Sequence, residues 1–193
     1  MEGSFLKIHR KTLILILVSM LTSFAYASIF TYNPLTTNIS PVAPPIIFKY
    51  GINTGKADLR GTIITAIIGD ANTSLTLTLH PTYQKVYYKD IARINNTDTN
   101  AYYIMLRVTS SLTNSKIVNA KLYLYEGDTK KLEVNLLATG STSWVLINGK
   151  AEWRIDVEIE ISETGGSYDT PPFTSDSATL NLIYSTQNVE SPP

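Results

Sequence analysis

Residues 153–161 have the sequence WRIDVEIEI, in which every second residue is apolar. A period of two residues is typical of a β-strand with one buried face, whereas an amphipathic helix has a period of 3.6. The pattern therefore predicts a strand with one side in a hydrophobic core. The residues expected inside are Trp153, Ile155, Val157 and Ile159. The residues expected on the solvent side are Asp156, Glu158 and Glu160.

The same two-residue period extends over most of the chain from Ile46 onward. Strands are predicted at residues 46–48, 59–68, 75–79, 83–94, 102–108, 121–125, 131–137, 144–147, 153–161 and 178–184. Glu126-Gly127-Asp128 and Asn148-Gly149 are turn signals, and each predicts a hairpin between the strands that flank it. Short strands with closely spaced turns and no amphipathic helix predict an all-β fold, an immunoglobulin-like β-sandwich over residues 46–193, with a closed barrel as the less favoured alternative.

The first 27 residues have the pattern of a secretory signal peptide. Lys7, Arg10 and Lys11 precede the apolar run of residues 13–24, and Ala25-Tyr26-Ala27 follows it. This order predicts cleavage between Ala27 and Ser28. The alternative is a membrane anchor, but the run is about a dozen residues and a spanning helix needs about 20. We therefore expect a secreted protein with no membrane attachment after cleavage.

Residues 28–45 are apolar and broken by prolines, among them Pro41, Pro44 and Pro45. Proline cannot donate a backbone hydrogen bond and disfavours helix in the residue before it, so neither a helix nor a central strand is expected. An extended apolar segment at a free end has two places to be buried: the edge of its own sheet or a groove in another copy. The residues that need burial are Ile29, Phe30, Tyr32 and Leu35.

Composition excludes several classes of function. Cleavage after Ala27 leaves 13 basic and 15 acidic residues, a net charge of about −2, so nucleic-acid binding is not expected. The chain has no cysteine, which excludes thiol catalysis, a zinc–thiolate site and a lipid anchor on cysteine. Stability must then come from packing rather than from disulfide bonds.

No pattern in the chain predicts catalysis. His80 precedes Pro81 and is expected to be a surface turn residue. The carboxylates of residues 156–160 are expected on a solvated strand face, and the Asn95–Asn100 segment lacks the glycine and the distal glutamate of an EF-hand loop. We therefore expect no catalytic residue, no cofactor and no metal site, and a protein that is not an enzyme.

Three sites match the N-glycosylation pattern Asn-x-Ser/Thr, which is the acceptor sequence for glycans on secreted proteins. They are Asn38, Asn72 and Asn95. Asn72 and Asn95 are expected in polar turns, from which a glycan can project.

The order of these features resembles a known family. A signal peptide, a short apolar strand broken by proline and a cysteine-free, threonine-rich β-sandwich with sequons resemble the secreted filament subunits of Crenarchaeota, the threads and bundling pili, which are related in fold to TasA-type biofilm fibre proteins. The most similar stretch runs from Tyr32-Asn33-Pro34 to Pro44-Pro45-Ile46-Ile47-Phe48. The resemblance implies a head-to-tail filament at the cell surface, in which residues 28–45 supply a donor strand and linker, and a role in adhesion and biofilm formation. The competing hypothesis is a monomeric secreted sandwich that binds carbohydrate or the surface layer through exposed tyrosines.

Overall fold

The computed structural model describes residues 3–24, 33–164, 170 and 173–188, and the chain forms two units, residues 1–41 and residues 42–193. In the first unit, helix α1 (Gly3–Phe24) is followed by an extended segment from residue 33. Among the described residues, no helix combines the length and the apolarity needed to cross a bilayer. The predicted cleavage site at Ala27 and Ser28, and the expected donor-strand residues Ile29, Phe30 and Tyr32, lie outside the described residues.

The second unit is built from short antiparallel strands. Within its described part they are β1 (Ile46–Tyr50), β2 (Thr65–Ile68), β3 (Leu75–Thr78), β4 (Gln84–Asn96), β5 (Tyr102–Ser110), β6 (Ile117–Glu126), β7 (Thr129–Asn135), β8 (Gly140–Ser141), β9 (Val145–Ile147), β10 (Glu152–Ile161) and β11 (Thr179–Ser185). Strands make up far more of the described residues than helical segments do, so the predicted all-β class is confirmed.

The strands form a sandwich of two layers. One layer is a five-stranded sheet with the order β1–β4–β10–β6–β7. The other layer contains a sheet in which β5 lies between β11 on one side and β8 and β9 on the other, and β2 and β3 form a separate hairpin. Apolar side chains of all three sheets belong to one core, as a β-sandwich requires.

The centre of the core is the strand that the alternating pattern predicts most clearly. Trp153 of β10 is fully buried beside its cross-strand partner Ile94 of β4. Ile155 and Val157 are buried with it, and Ile159 is half-buried. The predicted inward direction of this apolar set is therefore confirmed.

One of the two predicted hairpins forms and the other does not. The turn at Gly127 joins β6 to β7, which pair with each other as predicted. Asn148-Gly149 instead connects two layers, because β9 pairs with β5 whereas β10 pairs with β4 and β6. The backbone at Gly149 lies so close to the carbonyl of Thr99 that a methyl group there would overlap it. Glycine is needed here for close approach of two turns rather than for a hairpin.

Residues 59–68 were predicted to be one strand, and the structure has a strand only from Thr65. The side chain of Asp58 accepts a hydrogen bond from the amide of Leu59 at 2.6 Å and begins a short 3-10 turn, Leu59–Gly61. Arg60 in this turn has a φ of +62°. A local bond from aspartate to the backbone competes with strand pairing, and here it prevails over the apolar pattern.

Candidate functional site

Three strands outside the large sheet have an unpaired edge. Within the described residues, β11 pairs with β5 alone, and β2 and β3 pair only with each other. The smaller sheet and the β2–β3 hairpin therefore do not form one continuous sheet. Unpaired N–H and C=O groups along a strand edge can accept another strand, so these edges are candidate sites of assembly.

The core is only partly covered beside these edges. In β5, the central strand of the smaller sheet, Ile104, Leu106 and Val108 are buried. Sixteen apolar side chains in the described part of the chain pack on the same core and are only half-buried, and we call six of them the groove set. The groove set is Leu75 and Leu77 of β3, Val86 of β4, Ile159 of β10, and Leu180 and Leu182 of β11. Val86 and Ile159 are cross-strand partners, so they form one continuous part of the floor.

The segment from residue 33 to residue 43 is in neither a helix nor a strand, and it is exposed. Leu35, the one expected donor-strand residue within the described part, is 90 % exposed, and Ile39 and Val42 are also exposed. At the end of the linker, Pro45 is fixed, because its carbonyl accepts hydrogen bonds from the amide and the hydroxyl of Thr97 at 2.7 and 3.0 Å. The linker therefore starts from a defined point beside β1.

The sequons lie in three different environments. Asn38 is exposed on the extended segment, and Asn72 is exposed in the turn Asp70–Asn72, as predicted for a turn. Asn95 is not in a turn: it is half-buried in β4, between Ile47 of β1 and Glu152 of β10. Strand β4 ends at Asn96, two residues beyond the predicted end, because β1 and β10 both pair with it at Asn95. Glycosylation at all three asparagines stays a prediction.

The predicted solvated row of carboxylates is wrong for two of its three members. Asp156 is 0 % exposed and Glu158 is 8 % exposed, whereas Glu160 is half-exposed. The cause is a bulge in β4, which places three residues opposite Asp156, and Asp90 at its centre has a φ of +49°. Asp156 accepts hydrogen bonds from the amide of Asp90 at 2.7 Å and from the hydroxyl of Tyr87 at 2.8 Å.

Ion pairs connect the strands on this outer face of the five-stranded sheet. Arg93 donates to both carboxylate oxygens of Asp90 at 2.9 and 2.6 Å and to Glu152 at 2.6 Å. Lys49 and then Arg93 lower the pKa of Glu152, since both stabilise its charged form. The cavity of about 190 Å³ next to Arg93 is thus lined by charges that already have partners, and it offers no free acid or base.

Two tyrosines of the same face have a cation against the ring. Lys130 lies 5.5 Å from the ring of Tyr123, and the guanidinium of Arg154 lies 4.5 Å from the ring of Tyr125. Tyr87 stacks on Tyr123 with ring centroids 6.2 Å apart and is 44 % exposed. A sugar that stacks on tyrosine needs a bare ring face, and the cations occupy one face of Tyr123 and one face of Tyr125.

Comparison of the chain with protein-family models found no match, and comparison with curated proteins found none either. Among the described residues there is also no group of three or more His, Cys, Asp and Glu placed to hold a metal ion. The groove set and the free strand edges were not visible in the sequence, because half-burial depends on which strands are neighbours.

Proposed function

We propose that this protein is the structural subunit of an extracellular filament, in which the N-terminal strand of one copy completes the sandwich of the next copy. The observation that carries the proposal is a combination of two features on the same strands: β3 and β11 have unpaired edges, and their groove-set side chains are only half-buried. An inserted strand would pair the free backbone groups and cover the apolar side chains at the same time.

The strand order supports one position for the inserted strand. Strand β7 is one edge of the five-stranded sheet, and β8 follows it in the chain. In the smaller sheet, β8 pairs with one side of β5. β11 lies on the second side of β5, and β2 is in contact with β1, the opposite edge of the large sheet. We infer from this order that the free edge of β11 is on the side of the β2–β3 hairpin. We therefore propose that the inserted strand lies between β11 and β3, where it would join the smaller sheet to the hairpin.

The proposed occupant is residues 28–35 of another copy. Burial of an aliphatic or aromatic side chain contributes about 1.5–3 kcal/mol, so Ile29, Phe30, Tyr32 and Leu35 together would contribute about 6–12 kcal/mol before the cost of ordering the segment. The nine residues 36–44 then act as the linker. At about 3 Å per residue in a proline-rich chain, they span about 27 Å, enough to reach a neighbouring domain.

Such a contact joins two different surfaces, so it does not close on itself and a fibre results. With the predicted signal peptide and sequons, this supports a secreted glycoprotein whose main partners are further copies of itself and N-linked glycans. The resemblance to crenarchaeal threads and bundling pili extends the proposal to adhesion and biofilm formation at the cell surface.

Cysteine cross-linking tests the position of the strand, because the chain has no cysteine of its own. In the double variant Phe30→Cys with Leu182→Cys, oxidation should join neighbouring subunits into a ladder on a denaturing gel, and a reductant should dissolve it. The matched control combines Phe30→Cys with Lys130→Cys, which places the second thiol on β7 at the far edge of the large sheet. Normal filaments with no ladder, or an equal ladder in the control, would place the strand elsewhere.

Deletion of residues 28–37 tests the filament itself. We expect the variant to remain as single subunits under negative-stain microscopy, and a synthetic peptide of the deleted segment to raise its unfolding midpoint. The control is Ile39→Ala with Val42→Ala, which removes two exposed apolar side chains from the linker and should leave filaments intact. Filaments of normal appearance from the deletion variant would contradict the proposal. A monomer of unaltered full-length protein would favour the carbohydrate-binding alternative.

A further inference from the structure

Strand β4 is longer than the strand that covers one of its edges. On one side, β10 pairs with β4 over almost its whole length, whereas on the other side β1 pairs only with residues 92–96. Asn53, in the loop after β1, occupies the next part of this edge. Its amide donates to the carbonyl of Asp90 at 3.1 Å, and its side chain donates to the carbonyl of Lys89 at 2.6 Å. Within the described residues, the backbone of residues 85–88 has no partner on this side.

A cavity of about 420 Å³ lies against this unpaired part of β4. It is lined by residues 86–89 of the strand, and by Asn53 and residues 56–59 of the loop after β1. Part of the lining is apolar, because it includes Ile64, which is buried, and Val86, which is half-buried. A free strand edge beside a partly apolar cavity can accept one added strand, and we call this place the β4 slot.

Two lysines of the β4 slot have no carboxylate partner in the described part of the chain. Lys56 and Lys89 line the cavity, and both are exposed. Lys56 Nζ donates to the side-chain oxygen of Asn53 at 3.1 Å, which is a neutral group. By contrast, Lys85 on the same strand pairs with Glu158 at 2.8 Å. The β4 slot therefore presents positive charge that the described residues do not neutralise.

The one acidic residue among the described lining residues is compensated locally. The side chain of Asp58 is 5 % exposed, and its Oδ1 accepts a hydrogen bond from the amide of Leu59 at 2.6 Å. Burial and then this carboxylate raise the pKa of Tyr88, so the Tyr88 hydroxyl stays protonated beside Asp58. His80 is in a connection, as predicted, and its Nδ1 lies 3.9 Å from Asp58 Oδ2. A ligand in the slot would therefore meet the two exposed lysines rather than the carboxylate of Asp58.

We infer that the β4 slot binds an extended acidic segment of another protein, which pairs with residues 85–88 as an added strand. Successive side chains of such a strand point to opposite faces of the sheet. On the outer face they would lie near the exposed Lys89, and on the inner face they would lie near the half-buried Val86. The sequence that fits the slot therefore alternates acidic and apolar residues.

Charge separates this partner from the proposed donor strand. The β4 slot and the proposed groove are neighbours, because Val86 lines the cavity and also belongs to the groove set. Residues 28–35 contain no acidic residue, so they lack the charge that would match the lysines of the slot. The inference therefore concerns a second interaction surface, and it does not depend on the filament proposal.

Peptide binding to the full chain tests the inference. The probe is the capped peptide Thr-Glu-Val-Glu-Ile-Glu-Thr with a fluorescent label, and binding is followed by fluorescence anisotropy. We expect one peptide per chain, with an affinity that falls as the salt concentration rises, because the lysines are exposed. A peptide of the same pattern with lysine in place of each glutamate should not bind, and equal binding of the two peptides would overturn the inference.

A pair of double variants locates the binding site. Lys56→Gln with Lys89→Gln should weaken binding of the acidic peptide at least about threefold, because two exposed ion pairs are lost. The matched control is Lys116→Gln with Lys150→Gln, which removes the same charge from two lysines that bond to backbone carbonyls and do not line the cavity. The control should keep the affinity of the unaltered chain. Equal affinity in the two double variants would contradict the assignment of the site.

Hydrogen exchange by NMR distinguishes strand addition from attraction by charge alone. Binding of the acidic peptide should slow the exchange of backbone amides within residues 85–88, because an added strand supplies acceptors to that edge. Amides of β7, at the far edge of the same sheet, should exchange at an unchanged rate. Binding without protection at residues 85–88 would overturn the inference. Displacement of the probe by a peptide of residues 28–35 would also overturn it, since the slot would then not select an acidic strand.

Discussion

Removal of the buried carboxylate of Asp156 should destabilise the sandwich by about 3–5 kcal/mol. Asp156→Ala takes the acceptor from the amide of Asp90, from the hydroxyl of Tyr87 and from Arg154 Nε, which lies 3.2 Å away. The amide of Asp90 lies in a buried bulge, and leaving it without an acceptor should lower the free energy of unfolding by about 1–3 kcal/mol. Tyr87 is partly exposed and can bond to water, so we assign it about 1 kcal/mol. The remaining part of the 3–5 kcal/mol comes from Arg154, which loses its buried charge partner.

The assay is denaturant unfolding, in which the midpoint and the slope are compared with those of the unaltered chain. The matched control is Glu160→Ala, because Glu160 comes from the same strand and the same alternating row but is half-exposed. We expect the control to change the free energy of unfolding by less than about 0.5 kcal/mol. A loss below about 1 kcal/mol for Asp156→Ala, with the slope unchanged, would refute the assignment of Asp156 as the acceptor that holds the bulge.

Four further predictions follow from single contacts. Trp153→Ala should cost about 3–5 kcal/mol in the same assay, since the indole is fully buried, and a negligible change would mean that β10 faces the other way. Gly149→Ala should cost about 1–3 kcal/mol, because the added methyl group meets the carbonyl of Thr99; an unchanged midpoint would refute this close approach. Bonds from Tyr102 and from two backbone amides lower the pKa of Asp98 from 3.8 to about 2, so its contribution to stability is present above pH 4 and is lost as the pH falls toward 2; a titration of Asp98 by NMR with a midpoint near 4 would contradict this. Native protein should carry a glycan on Asn72, and peptide mass spectrometry that finds this site bare would count against the prediction.

The positions of most strands could be predicted from the sequence because a half-buried strand leaves a local pattern. The period of two along β10 predicts both the strand and the direction of Trp153, and the structure confirms both. Pairing between strands leaves no such pattern. Asn148-Gly149 has the chemistry of a hairpin turn, but its two flanking strands find partners in different layers.

The buried acidic row could not be predicted for a related reason. Alternation assigns Asp156 to the outer face of β10, and it does lie on that face. Its burial comes from β4, where Asp90 and Tyr87 fold over it, and from the neighbouring tyrosines of β6. An aspartate within the long apolar pattern of β4 was the one local signal of a bulge, and one residue does not reveal what lies opposite.

The distribution of charge on the strand edges explains why insertion would occur at one place and not at others. Edge strand β7 has the sequence TKKLEVN, and its lysines pair with Glu126 and Glu133. A strand added to this edge would have to displace or bury those charges, which disfavours pairing. By contrast, β11 has the sequence TLNLIYS, β2 has TAII and β3 has LTLT, with no charged residue among them. The charges of β7 thus protect that outer edge of the large sheet. The short strands β8 (GS) and β9 (VLI) are also uncharged, but only β3 and β11 combine an uncharged edge with half-buried residues of the groove set.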